Sequence, residues 1–155
     1  MKHLAALTSI MIALAPVLSA CGAPDTAPTE APTTAPLAPN IPSTEAEALA
    51  SSGEALLIDV RTPAEWAETG VPDGAATITL QDKDFADRVE ALAKGDKNQP
   101  IVFICRSGGR SAAARDQLTE LGYTRVTSAN GGVEAPNGWI ENDLPLTPYS
   151  EKPAP

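Results

Sequence analysis

Apolar residues in this chain follow two rhythms. Leu56–Val60, ending at Asp59-Val60-Arg61, and Ile101–Ile104 are short continuous runs bounded by polar clusters. Runs of this kind read as strands buried on both faces. Ala76–Leu80 and Arg125–Ser128 read as two further strands. The helical rhythm appears between them. Asp82–Ala93 places Phe85, Val89 and Leu92 on one face, with Gly95 following, and its acidic residues form a solvated face. Ser111–Leu121 is an alanine-rich helix ended by Gly122, and Ser43 or Thr44 opens a short helix that runs through Ala50 to Gly53. Thr62-Pro63-Ala64-Glu65 is a capping box with proline at the first helical position. Glu134–Asn142 reads as a last, broken helix, bent at Pro136 and Asn137-Gly138. Strands alternating with helices predict an α/β fold: a small parallel sheet with helices on both faces.

The flanks follow neither rhythm. Lys2 and His3 precede the apolar stretch Leu4–Val17, and Leu18-Ser19-Ala20-Cys21 then matches a bacterial lipobox. Residues 1–20 are therefore expected to be a lipoprotein signal peptide, with Cys21 lipidated as the new N-terminus. The expected location is the bacterial cell envelope, lipid-anchored and facing the periplasm. Gly22 stands where an aspartate would mark inner-membrane retention, which favours the outer membrane. Residues 21–42 carry Pro24, Pro28, Pro32, Pro36, Pro39 and Pro42 among threonines and alanines, and are expected to be a disordered tether. The folded domain is expected over 43–148, followed by a polar tail over 149–155.

Composition narrows the chemistry. The formal charge is −9, which excludes nucleic acid and anionic surfaces as partners and leaves the lipid anchor as the only membrane contact. His3 is the only histidine and leaves with the signal peptide, so the mature chain has no Cys-His or Ser-His-Asp arrangement and no histidine ligand for zinc. Cys21 and Cys105 are the only cysteines; with Cys21 lipidated, Cys105 has no disulfide partner. No metal and no cofactor is expected.

Cys105 ends the Ile101–Ile104 run and opens the loop Cys105-Arg106-Ser107-Gly108-Gly109-Arg110-Ser111, after which a helix starts. Backbone N–H groups of such a loop converge on one point, where the helix dipole adds positive potential. A thiol there ionises more easily than a free one, whose pKa is about 8.5. The plain alternative is a strand-end cysteine packed as a small apolar residue.

This loop resembles the active-site loop of rhodanese-type sulfurtransferases. Leu57-Ile58-Asp59-Val60-Arg61-Thr62-Pro63-Ala64-Glu65-Trp66 with Gly74-Ala75, and Gly131-Gly132 with Trp139 and Leu144-Pro145-Leu146, resemble other segments of that family in the same order. The resemblance implies a single-domain thiosulfate sulfurtransferase. Cys105 is the expected nucleophile, taking a sulfane sulfur from a small anionic donor and passing it from a persulfide to a thiol or cyanide acceptor. Main-chain amides of the loop cradle the sulfur, and Arg106 and Arg110 hold the donor. Ser107 and Ser111 donate hydrogen bonds, with Ser111 also helping to close the helix start. Asp59 and Arg61 are expected to brace the loop as an ion pair, with Trp66 and Trp139 as packing and Gly131-Gly132 as a turn.

Four residues separate Cys105 from Arg110, where cysteine phosphatases need five, so the cradle suits a sulfane sulfur better than a phosphate. The two loop arginines favour a doubly charged donor such as thiosulfate. Thr69-Gly70-Val71-Pro72-Asp73-Gly74-Ala75 departs from the Gly-His-Ile-Pro-Gly-Ala common in the family. That altered rim keeps a second reading open, a non-catalytic persulfide carrier or sensor.

Overall fold

The computed structural model describes residues 35–150. The expected signal peptide, the lipidation site Cys21, the tether as far as residue 34 and the tail from residue 151 lie outside the described residues.

The elements in chain order are β1 (Asn40–Ile41), α1 (Ser43–Ser51), β2 (Leu56–Asp59), α2 (Pro63–Thr69), β3 (Val71–Pro72), β4 (Ala76–Thr77), α3 (Phe85–Leu92), β5 (Ile101–Ile104), α4 (Gly109–Glu120), β6 (Val126–Ala129) and β7 (Leu146–Thr147). Five strands form a parallel sheet in the order β1-β6-β5-β2-β4, while β3 and β7 form a separate antiparallel pair. The central strand, β5, pairs over its full length with β2 on one side and along most of it with β6 on the other.

Alternation along the strands divides the core in two. Ile101, Phe103 and Cys105 join Ile58, Val60, Phe85, Val89, Ala114 and Leu118 in a cluster beneath α3 and α4. Val102 and Ile104 join Leu57, Ala46, Val133 and Trp139 on the opposite face. Burial on both sides is why β5 reads as an unbroken apolar run. The expected parallel α/β sheet is observed, with α1 and the turns around Trp139 covering the second face.

Several boundaries differ from expectation. Residues 35–42, assigned to the tether, dock on the domain: Thr127 donates to Ala38 O, Ser128 N–H donates to Pro39 O, and Asn40–Ile41 forms the edge strand β1. Pro39 and Pro42 bracket that two-residue strand, consistent with proline's confinement to sheet edges and strand ends. Ser43 does not cap α1; its hydroxyl donates to Asn130 O across the chain. β4 stops at Thr77, short of Leu80. α3 starts at Phe85, and Leu92, expected on the buried face, is 36% exposed. Residues 134–142 form turns, with Asn137 at positive φ, and make no helix. At the other end Tyr149, expected in the tail, packs against Trp66 at a tilt, with ring centroids 5.3 Å apart.

Candidate active site

The C-terminal ends of β2 and β5 lie side by side, with Asp59 opposite Ile104. The ladder runs on past the strands, as Val60 N–H donates to Ile104 O at 2.9 Å. Cys105 therefore emerges beside Asp59-Val60-Arg61, at the sheet edge where open parallel sheets place their sites. Cys105 has the parity of Ile101 and Phe103, so its thiol faces α4. The residue is 1% exposed.

Polar groups of the loop converge on its sulfur. Gly108 N–H points at Sγ across 3.1 Å, and Ser111 Oγ lies 3.4 Å away. The amides of Ser107 and Ser111 face it as well. Gly108 occupies the left-handed region at φ 102°, which turns the loop back over the sulfur before α4 begins at Gly109. Burial pushes the thiol pKa up. The hydrogen bonds from Ser111 and from the amides of Ser111, Ser107 and Gly108 outweigh burial and hold the pKa below the ordinary thiol value.

Ser111 stands in the first turn of α4, where its hydroxyl donates to the carbonyl of Gly108, the residue that precedes the helix. That contact is 3.0 Å, and the hydroxyl receives a hydrogen bond from Ser128 Oγ at 2.8 Å. Ser128 was not expected in the site. It lies on β6 with the parity of Val126, which packs beneath α4, and only the strand register with Phe103 reveals that it reaches Ser111. A serine inside an otherwise buried strand was the available signal.

The arginines depart furthest from expectation. Arg110, expected to hold the donor, directs both terminal nitrogens at Glu65, at 2.8 and 2.5 Å. Glu65 also closes the capping box on Thr62. Arg110, first among these partners, holds the Glu65 carboxyl down at about 2 despite partial burial. In return the Glu65 hydrogen bond raises the Arg110 pKa. Arg106 donates its Nε to Glu134 at 3.0 Å. Arg61 and Asp59 form a fully buried pair at 2.7 Å. The remaining donors of Arg61 reach Thr69 Oγ1 and Gly70 O, both at 2.7 Å, and tie the end of α2 to β2. That pair braces the site and offers nothing to a donor.

Gly131-Gly132 is more than a turn. Val133 N–H donates to Cys105 O at 2.8 Å and Glu134 N–H to Arg106 O at 2.9 Å, so this segment clamps the start of the loop. A Cβ on Gly132 would collide with Cys105 O and lie 2.7 Å from Arg106 C and Ser107 N.

A family model described as rhodanese-like domain matches residues 43–137. An uncharacterized Rickettsia conorii protein is 36% identical over 116 residues, covering 68% of this chain and 94% of its own. A Pseudomonas savastanoi protein named thiosulfate sulfurtransferase GlpE is 34% identical, covering 61% of this chain and 82% of its own. Among solved structures, the polysulfide-sulfur transferase homodimer from Wolinella succinogenes superposes with a TM-score of 0.55 at 27% identity, covering 74% of this chain and 82% of that one.

Proposed function

We infer the function from one premise: this chain belongs to the rhodanese-like family. Proteins of that family named sulfurtransferase are among its relatives, so its general chemistry is sulfur transfer. The finer reading is a thiosulfate sulfurtransferase with Cys105 as nucleophile. The Cys105 thiolate attacks the outer sulfur of thiosulfate or a similar sulfane donor. A new S–S bond forms, the donor S–S bond breaks, and its electron pair leaves with sulfite. The resulting persulfide gives its outer sulfur to cyanide or a thiol, regenerating the thiolate. The convergence of Gly108 N–H and Ser111 Oγ on Cys105 Sγ carries this reading, because it stabilises the charged nucleophile without a histidine base.

The lipobox Leu18–Cys21 supports a lipid anchor at Cys21, with the domain facing the periplasm from the outer membrane. Incorporation of labelled fatty acid, lost in Cys21→Ser, tests that placement.

Intact mass after incubation with thiosulfate and then cyanide tests the activity. A gain of one sulfur, discharged as thiocyanate and absent in Cys105→Ser, is expected. A gain that cyanide does not remove replaces the enzyme with a persulfide carrier. No gain on a demonstrably free thiol, with any sulfane donor, overturns the reading.

A further inference from the structure

The loop owes its expected taste for a doubly charged donor to Arg106 and Arg110, yet neither arginine stands uncompensated. Arg110 spends both terminal nitrogens on Glu65. Arg106 gives its Nε to Glu134, whose other carboxylate oxygen lies 3.7 Å from Arg61. Arg61 is itself paired with Asp59. Three guanidinium groups meet three carboxylates in a chain of contacts, so these side chains bring no net charge to the thiolate. The formal charge of the whole chain, −9, adds no attraction for an anion.

Glu134 occupies the decisive place in that chain. Its N–H is bonded to Arg106 O, so the backbone sets its carboxylate beside the guanidinium of the same residue. It follows directly on Val133, whose N–H holds Cys105 O. Its side chain is 23% exposed, against 64% for Arg106. The carboxylate is thus the more fixed partner, held between Arg106 of the loop and the buried Arg61. Glu65 has the same electrical effect on Arg110, but it also builds the start of α2, so replacing it would mix charge with folding.

We propose that Glu134 is a charge gate, a specificity-determining residue that favours singly charged sulfane donors, an organic persulfide or thiosulfonate, relative to the dianionic thiosulfate that the site also accepts. The proposal rests on the sulfurtransferase reading and refines its donor class. Both donor types complete the same balanced step. With a persulfide, Cys105 attacks the terminal sulfur, the donor S–S bond breaks, and a thiolate leaves with the electron pair. With a thiosulfonate the leaving group is a sulfinate. With thiosulfate two donor charges must approach a thiolate in a neutral frame.

Electrostatics supplies a signature that a purely structural role lacks. A donor carrying two charges responds to a change in local potential twice as strongly, in free energy, as a donor carrying one. Removing the Glu134 charge should therefore raise the dianion's kcat/KM by the square of the factor for the monoanion, about tenfold against about threefold for one partly screened charge beside the loop. The effect should lie mainly in KM, because the potential acts on donor binding.

The test uses thiosulfate and its monoanionic near-isostere methanethiosulfonate as donors, with cyanide as acceptor, on the wild-type chain, Glu134→Gln, Arg106→Gln and the double variant. Glu134→Gln keeps the backbone bond to Arg106 O, and Arg106 is exposed enough that its replacement spares the fold. The expected result is a rise in the thiosulfate-to-thiosulfonate ratio in Glu134→Gln, a fall in Arg106→Gln, and a return towards wild type in the double variant. An unchanged ratio in Glu134→Gln, or equal factors for both donors, overturns the gate while leaving the sulfurtransferase reading intact. Absence of turnover with both donors, and of any sulfur gain on wild-type Cys105, overturns the underlying reading and the gate with it.

Discussion

Cys105 draws its acidity from groups that no neighbour in the chain supplies alone. Burial opposes the thiolate, and Ser111 is the strongest single donor working against that burial. Ser111→Ala should therefore move the acidic limb of the pH–rate profile to higher pH. Below that limb the rate should fall about tenfold, the usual worth of one hydrogen bond to a charged group, and it should converge with wild type at alkaline pH. The pH dependence of thiolate absorbance or of alkylation checks this; an unmoved limb would assign the acidity to the amides alone. Ser128→Ala should shift the profile the same way by less, since Ser128 acts only by donating to Ser111. Glu65 makes the opposite kind of prediction. Its folded pKa of about 2 lies below the ordinary 4.5, with the Arg110 hydrogen bond as the largest cause. The stabilisation this gives is full above pH 4.5 and is lost as pH falls through 2. Glu65→Gln should thus be less stable than wild type at pH 7, and the gap should close in denaturation curves taken towards pH 2.

Pairs of elements, more than single ones, build the loop. β2 and β5 deliver Asp59 and Cys105 to the same edge, α4 turns its first residues over the sulfur, and the 131–134 segment pins the loop from the other side. Gly132→Ala should displace Cys105 and Arg106, because the atoms in its way are loop backbone and φ is +57°. A loss of about 1–3 kcal/mol in stability with near-complete loss of transfer is expected, read from urea unfolding and initial rates. Breaking the buried Asp59–Arg61 pair by Asp59→Asn should cost more, about 3–5 kcal/mol, since the guanidinium is left buried without its counter-charge. These elements also mark what the sequence reveals. β5, α2 and the parallel sheet were legible because their signals are local: an apolar run, a capping box, an alternation of periods. Ser128, Glu134 and the docking of Pro39–Ile41 were not, because each depends on register with a strand or loop distant in the chain. The arginines misled for a related reason. Charge is visible in a sequence, but its cancellation by Glu65, 45 residues away, is visible only when α2 and α4 are brought together. Residues 134–142 kept a helical composition, yet Pro136, Gly138 and Asn137 at φ 58° favour successive turns, which free Trp139 to fill the second core.

For the whole molecule, the remaining variable is long-range charge. The chain carries a formal −9, and every donor considered for it is an anion. A domain of this size has a radius of gyration of about 14 Å. At 0.01 M salt the screening length is about 30 Å, so the thiol site experiences the acidic residues of the entire body. At 0.15 M it is about 8 Å, and only charges near the mouth remain effective. Those near charges cancel in pairs, Arg110 with Glu65 and Arg106 with Glu134. Raising salt therefore removes a repulsion and uncovers no compensating attraction. The kcat/KM for thiosulfate should rise about two- to fivefold between these ionic strengths, and the rise for a monoanionic donor should be smaller. A site whose arginines were free would behave in the opposite sense, losing activity as salt screened their pull. Steady-state rates in a series of sodium chloride concentrations separate the two cases without any mutation, and a falling kcat/KM would show that the paired arginines still dominate the field at the thiol.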